Sequence, residues 1–141
     1  MNVLNITINK INAEKHGVPK GQINVTSNIK TDNVEKTNIG VDDSKKTVKV
    51  NFTYKTTYQP DLGTIELQGT VLVLVTKDEA EKVLDNWDKN KKMDKDFASV
   101  VLNAAMKRSS LQSIFISREL DLPSPIPLPN IKAKEDTKDN N

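Results

Sequence analysis

Apolar and polar residues alternate along four stretches of the chain, which is the pattern of β-strands that bury one face. The first stretch begins at Leu4, and its alternation slips by one residue near Asn9, where a β-bulge would keep the same face inward. The second stretch is the weakest, and its apolar residues are Ile23, Val25 and Ile29. The third and fourth stretches cover residues 48–54 and 65–75. A Pro/Gly turn between them predicts an antiparallel pair.

Two helices are predicted after the fourth strand. The first is short and amphipathic, and either Thr76 or Asp78 can cap it. Its apolar residues have helical spacing and are Ala80, Val83, Leu84 and Trp87. The second runs from about residue 94 to residue 120 without Gly or Pro. Four strands followed by a short and a long helix predict an α+β fold with an antiparallel sheet.

The long helix changes character along its length. Residues 97–106 are apolar except for Ser99 and Asn103, so apolar surface surrounds most of this part. From Lys107 onward a narrower amphipathic stripe is predicted, and its apolar members are Leu111, Ile114 and Phe115. A helix covered only by its own sheet would not need so wide an apolar start. The pattern therefore favours a further partner for this helix.

The C-terminal part of the chain is rich in proline and then in charge. Prolines at every second position of residues 123–129 forbid a helix and favour an extended strap, a name used below for residues 122–129. Residues 133–141 are small, polar and charged, which is typical of a disordered tail. We therefore expect one domain over residues 1–131 and a disordered polar tail over residues 132–141.

Composition excludes several classes of protein. Lys and Arg exceed Asp and Glu by two, 21 against 19, and both signs are scattered, so no basic patch for nucleic acid is visible. The apolar run at residues 71–75 is too short for a membrane helix. The N-terminus lacks the pattern of a signal peptide, and the chain has no cysteine, so we expect it in the reducing cytoplasm.

Few residues could carry chemistry. His16 is the single histidine and lies beside a Gly/Pro loop, where a solvated side chain is the simpler interpretation. Asp42 and Asp43 could share a proton or a cation, but Ser44 and two lysines follow them as in a charged turn. No glycine precedes a Lys-Ser or Lys-Thr at the spacing of a phosphate loop. We expect no catalytic residue, no metal ligand and no cofactor, and hence not an enzyme.

The remaining functional signal is that the chain has more apolar residues than a simple core needs. They indicate an oligomer interface, a ligand groove or both, although each residue could equally belong to the core. The predicted oligomer interface consists of Leu72, Leu74, Phe97, Val101 and Leu102. The predicted peptide-binding residues are Tyr58, Leu62, Trp87, Ile126 and Leu128. In this interpretation Ile126 and Leu128 project from the strap, and the other three form the opposite wall.

The order of these elements resembles the SecB family of export chaperones and its SecB-like relatives. The likeness is carried by residues 47–54 and 65–75, by the helix over residues 97–120 and by the strap. It implies a tetramer built as a dimer of dimers, with long helices between two sheets and grooves for unfolded polypeptide. Typical members are strongly acidic and meet a motor ATPase through acidic sheet residues. This chain is nearly neutral, which leaves a translocase link uncertain.

Three functional hypotheses follow. The first is an ATP-independent holdase that binds unfolded or extended segments through apolar grooves, with export as one use. The second is a dedicated adaptor that stabilises one client protein. The third is a small-molecule binder or enzyme with a pocket between sheet and helix, which would need convergent ionisable groups. The breadth of the client range separates the first two, and a polar pocket with two or more acids would favour the third.

Overall fold

The computed structural model describes residues 1–18, 20–37, 44–127 and 129. Four strands precede two helices, namely β1 (Asn2–Lys15), β2 (Asn24–Thr37), β3 (Lys45–Gln59), β4 (Gly63–Thr76), α1 (Lys77–Asn90) and α2 (Lys95–Glu119). This order confirms the predicted α+β fold. Asp42, Asp43, Leu128 and the tail lie outside the described residues, so the predictions made for them stay predictions.

The strands form one antiparallel sheet in the order β1-β4-β3-β2. The central strands β3 and β4 pair along their whole length, as the short turn between them predicted, with Tyr54 opposite Leu67. On one face of this pair the side chains are buried, and both helices pack there: α1 against β2, β3 and β4, and α2 against β4, β1 and β3. The opposite face of the sheet, called the open face below, carries most of the polar side chains of β3 and β4.

Bulges adjust the edge strands to this arrangement. The register of β1 against β4 shifts between Ile8 and Lys10, which confirms the bulge predicted near Asn9. A second shift in β1 lies next to Leu4, and a third in β2 lies between Thr31 and Asn33. Neither of these was predicted. Bulges twist an edge strand and so make it a poorer template for pairing with other chains.

The short helix α1 begins with a capping box. Glu79 N donates to Thr76 Oγ1 at 3.2 Å, and Thr76 N donates to the Glu79 carboxylate at 2.9 Å. The helix ends at Asn90, followed by Lys91 in the left-handed conformation, whose amide donates to the Trp87 carbonyl at 2.8 Å. The predicted cap at Thr76 is therefore confirmed, and Trp87 is fixed near the end of the helix.

The side of α2 that packs on the sheet is a row of residues four apart. Phe97, Val101 and Ala105 lie in the first half and are fully buried. The row continues through Ser109, Ser113 and Ser117, which are also buried, and we call these three residues the serine ridge. Neighbouring members of this row share a face, but four residues cover about 400° of a helix with 3.6 residues per turn, so the row turns by about 40° at each step. The buried side of α2 therefore rotates gradually from Phe97 to Ser117.

The predicted amphipathic stripe of α2 is wrong in its orientation. Leu111 and Phe115 are 56% and 59% exposed, and the buried positions nearby belong to the serine ridge. Hydrophobicity alone suggested the opposite arrangement for this half of the helix. The buried side of α2 instead follows the row of residues four apart, which rotates away from Leu111 and Phe115 along the helix.

His16 ties the end of β1 to the β3–β4 turn. Its amide donates to the Leu62 carbonyl at 2.7 Å. Its ring lies between two carboxylates, with Nδ1 3.1 Å from Asp61 and Nε2 3.2 Å from Glu14. A neutral imidazole has only one N–H, so the ring donates to both carboxylates only when it is protonated. Hydrogen bonding to Glu14, and then to Asp61, raises the pKa of His16.

We expect the NMR titration of His16 to give a pKa above its ordinary value of 6.5. Because the folded state raises this pKa, its stabilising contribution is complete below the unfolded pKa and is lost as the pH rises through the folded pKa. The single histidine makes the ring signal unambiguous. Asp61→Asn should lower the measured pKa and weaken the pH dependence of unfolding. A titration at or below 6.5 in the intact chain would contradict the arrangement.

Gly69 allows the β1 backbone and the Phe52 ring to pack closely against β4 at the centre of the sheet. A Cβ atom at this position would lie 2.5 Å from the Thr7 carbonyl oxygen and 2.6 Å from Cζ of Phe52, both closer than real contacts allow. Phe52, on the paired strand, occupies the space that a side chain at position 69 would need. The ring is almost fully buried, so it fills the core directly over the glycine.

We predict that Gly69→Ala lowers the free energy of unfolding by about 1–3 kcal/mol, because the added methyl group must displace Phe52 or the β1 backbone. Urea unfolding measures the change. Gly17→Ala is the matched control, since a Cβ atom there meets nothing within 4 Å. Equal stability of the two variants would show that the sheet opens at Gly69 without cost.

Candidate functional site

The strap is attached to the sheet by its first two residues. Leu122 is 6% exposed, and its amide donates to the Ser117 carbonyl at 2.9 Å. The Tyr58 hydroxyl donates to the Pro123 carbonyl oxygen at 2.6 Å. A proline has no amide hydrogen, so its carbonyl is the backbone group through which it can be held. The strap therefore starts against the β3–β4 end of the molecule.

Beyond Pro123 the strap leaves the core. Ser124 Oγ donates to the Ile126 carbonyl at 2.6 Å, and Ile126 itself is partly exposed. Pro127 and Pro129 are exposed. Leu128 lies outside the described residues. Within the part that the structure covers, the strap offers an accessible apolar side chain next to a backbone that lacks several amide donors.

The three residues predicted for the opposite wall are covered. Tyr58 is fully buried, and Leu62 and Trp87 are 5% and 7% exposed. Trp87 lies in the core on α1, with Lys91 Nζ 5.6 Å from its ring centroid. The structure brings Tyr58 to the strap through Pro123. Client contact with these three side chains would require a neighbouring segment to move, so their role in binding stays a prediction.

A cluster of hydroxyl groups lies where α2 covers the sheet. The Tyr54 hydroxyl accepts a hydrogen bond from Thr56 Oγ1 at 3.0 Å and lies 3.4 Å from Oγ of Ser27 and of Ser113. Burial pushes the pKa of Tyr54 upward, but hydrogen bonds with Ser113, Ser27, Thr56 and Ser110 hold it below its ordinary value. Ser113 of the serine ridge is thus matched to a polar group on β3.

The neighbouring Tyr58 has the opposite shift. Burial, with a smaller contribution from Tyr54, raises the pKa of Tyr58 to about 12. The Tyr58 phenol is therefore protonated near neutral pH, as its hydrogen bond to the Pro123 carbonyl requires. Ser109 Oγ is buried and has no hydrogen-bond partner among the described residues. The contact between this half of α2 and the sheet is therefore polar and incompletely bonded.

The residues predicted for an oligomer interface fall into two groups. Phe97 and Val101 are fully buried in the core of the same chain. Leu102 is partly exposed on α2, and Leu72 and Leu74 are partly exposed on the open face of the sheet. The prediction did not include Leu111 and Phe115, which are more exposed than any of these. An ideal helical wheel would not have found them, because Phe115 follows Phe97 by about five full turns and so falls on the same side of the wheel.

The open face of the sheet also has a polar depression of about 580 Å³. Its floor is crossed by hydrogen bonds from Asn9 Nδ2 to Thr70 Oγ1 at 2.8 Å and from Thr70 Oγ1 to Asn51 at 3.1 Å. Asp32 and Glu66 line it together with two lysines, Lys30 and Lys49. Acids and bases alternate here, so the depression has no strong preference for one sign of charge.

The described residues contain no group of three or more His, Asp or Glu side chains placed to hold one metal ion. None of the helices in this part of the chain is both long enough and apolar enough to cross a membrane.

Comparison with known proteins finds similar chains among solved structures. No family model matches the sequence, and no curated protein matches it. Among solved structures, the chain is similar to the Mycobacterium tuberculosis SecB-like chaperone Rv1957 in complex with a ChAD peptide from the Rv1956 HigA1 antitoxin. The identity is 16%, the TM-score is 0.58, and the match covers 93% of this chain and 89% of that chain. The fold of this chain is therefore SecB-like, as its sequence predicted.

Proposed function

We propose that this chain binds extended or unfolded polypeptide segments without ATP and is a chaperone, not an enzyme. The observation that carries the proposal is the SecB-like fold, which matches a peptide-bound chaperone over 93% of this chain. Exposed apolar side chains on a folded domain support it, because a holdase must offer such surface in its native state. The strap adds a backbone with few amide donors, which costs little ordering when a client lies against it.

A dedicated adaptor is the second form of the same function. The structural relative is described with a peptide from one antitoxin, which supports a defined client as well as a general holdase does. The difference is the breadth of the client range. Pull-down from native extract separates the two, since many unfolded precursors indicate a holdase and a single partner indicates an adaptor.

Protein export is a more specific function, and the charges on the open face of the sheet give it little support. A motor that binds acidic sheet residues would need an acidic open face. Here Glu35 pairs with Lys49 at 3.6 Å and Asp32 pairs with Lys30 at 3.8 Å. The net charge of the chain is +2. We therefore propose chaperone activity in the cytoplasm without delivery to a translocase motor.

A small-molecule site is the remaining alternative. The polar depression on the open face holds two acids, Asp32 and Glu66, which is the feature that this hypothesis requires. Lysines lie beside both acids, and the depression is open to solvent. Protection of the chain against thermal unfolding by a metabolite mixture would favour this function.

The general test uses the intact protein without nucleotide. In molar excess it should slow the aggregation of several chemically unfolded clients, followed by light scattering. Failure with all of them, together with capture of one partner from extract, would leave the adaptor function. Failure in both assays would contradict polypeptide binding.

We predict that replacing Ile126 and Leu128 with Ser reduces client protection severalfold and leaves the melting temperature unchanged. The strap is held by Leu122 and Pro123, so Ile126 is free to contact a client. Val18→Ser is the control, because Val18 is 72% exposed and lies away from the strap in sequence. A lower melting temperature with full client protection would show that Ile126 only fastens the strap.

We further propose that the chain works as a homo-oligomer, a dimer or tetramer, through partly exposed apolar residues that include Leu72, Leu74 and Leu102. Light scattering should show a multiple of the chain mass. Leu102→Asp should dissociate the assembly and preserve the fold, whereas Val101→Asp should unfold the chain, because Val101 is buried in its own core. Ser99→Asp serves as the control on the same helix. A monomer at high micromolar concentration would contradict this proposal.

A further inference from the structure

Backbone hydrogen bonds connect the residue that follows β1 to the β3–β4 turn. The His16 amide donates to the Leu62 carbonyl at 2.7 Å, and the Leu62 amide donates to the Tyr58 carbonyl at 3.0 Å. The last residue of β1 pairs with Gly63, the first residue of β4. The end of β1, the turn and the ends of the two central strands therefore form one junction.

The start of the strap lies directly against this junction. A Cβ atom at Gly63 would lie 2.5 Å from the Glu14 carbonyl oxygen and 3.3 Å from Cδ1 of Leu122, so no side chain fits between β1 and the strap there. Leu122 is almost fully buried, and the Tyr58 hydroxyl donates to the carbonyl of the next strap residue, Pro123, at 2.6 Å. A displacement of the turn is therefore transmitted to the strap, because close-packed groups leave no space to absorb it.

Two backbone positions at this junction depend on their surroundings. Asp61 in the turn and Asp121 before the strap have φ values of 43° and 52°, in the left-handed region that side chains rarely adopt. Aspartate tolerates this conformation better than most residues, but it still costs free energy. The carboxylate of Asp61 lies 3.1 Å from Nδ1 of His16. Loss of that contact therefore favours rearrangement of the turn.

The protonation state of His16 decides how firmly the turn is held. Among the described residues, Glu14 on β1 and Asp61 in the turn are the charged groups that act on its ring. The protonated ring donates from both nitrogens, to Glu14 at 3.2 Å and to Asp61 at 3.1 Å. The neutral ring has one N–H, so one of the two carboxylates then faces a nitrogen lone pair that repels it. The link between β1 and the turn is complete only when His16 is charged.

We propose that the side chains of His16, Glu14 and Asp61 form a proton-controlled latch on the strap. With the ring protonated, the turn is fastened to β1 and the strap stays closed. With the ring neutral, the turn loosens and the strap opens more often, which exposes Tyr58 and Leu122 to a client. This inference rests on the polypeptide binding proposed above and adds its regulation, because client binding then strengthens as His16 loses its proton.

Two substitutions of the exposed His16 side chain fix the latch in its two states. His16→Arg keeps a charged, planar donor that can bond both carboxylates at every pH. His16→Ala removes the donors at every pH. Hydrogen exchange by NMR, corrected for the intrinsic rate at each pH, measures protection of the Leu122 amide, which donates to the Ser117 carbonyl.

In the wild type, protection of the Leu122 amide should fall severalfold as His16 loses its proton. It should stay high in His16→Arg and low in His16→Ala across the same pH range. The Lys91 amide is the internal control, because it donates to the Trp87 carbonyl at the end of α1 and should be protected equally in all three proteins.

Client protection against aggregation should follow the opposite order. At each pH the three proteins are compared with the same unfolded client, which removes the effect of pH on the client itself. The wild type should match His16→Arg when His16 is charged and His16→Ala when it is neutral. Equal Leu122 protection in the two variants, or equal client protection by them, would overturn the latch and leave polypeptide binding standing. No client protection by any of the three would overturn polypeptide binding and its regulation together.

Discussion

The row of residues four apart on α2 is the contact on which the arrangement of this molecule depends. Phe97, Val101 and Ala105 bury an apolar surface against the sheet, where α2 packs on β4, β1 and β3. The buried row continues through Ser109, Ser113 and Ser117 and turns by about 40° at each step of four residues. At the end of the row the Ser117 carbonyl accepts the Leu122 amide. The row thereby connects the core under the first half of α2 to the start of the strap.

The surface that this packing leaves exposed is better suited to binding polypeptide than to catalysis. The buried phenols of Tyr54 and Tyr58 have opposite pKa shifts, but both are hydrogen-bonded inside the molecule. Two acids on the open face, Asp32 and Glu35, are paired with lysines. Accessible apolar side chains lie on α2 and on the strap. Such surface recognises chain segments by shape and apolar contact, which suits the peptide-binding function proposed for this SecB-like fold.

The sequence predicted the strands and helices well, but it predicted only in part which of their side chains are buried. The bulge after Ile8 was visible because apolar residues on both sides revealed the shift in parity, whereas the bulge after Thr31 is followed by a single strong marker, Val34. The cap at Thr76 follows from local hydrogen bonding and needs no tertiary context. The facing of Leu111 could not be read from the sequence, since the buried side of α2 rotates along the helix and an ideal wheel does not reproduce that rotation. Burial of Trp87 likewise depends on how α1 lies across the sheet.

The tryptophan and the tyrosines lie at different packing contacts, so their optical signals report on different parts of the molecule. Trp87 is the only tryptophan, and it lies 7% exposed on α1 with the ammonium of Lys91 near its ring. The only two tyrosines, Tyr54 and Tyr58, lie beneath α2 and the start of the strap. Indole emission therefore follows the docking of α1, while phenol absorbance follows the contact of α2 and the strap with the sheet. Loss of one contact can thus be observed without labels and told apart from loss of the other.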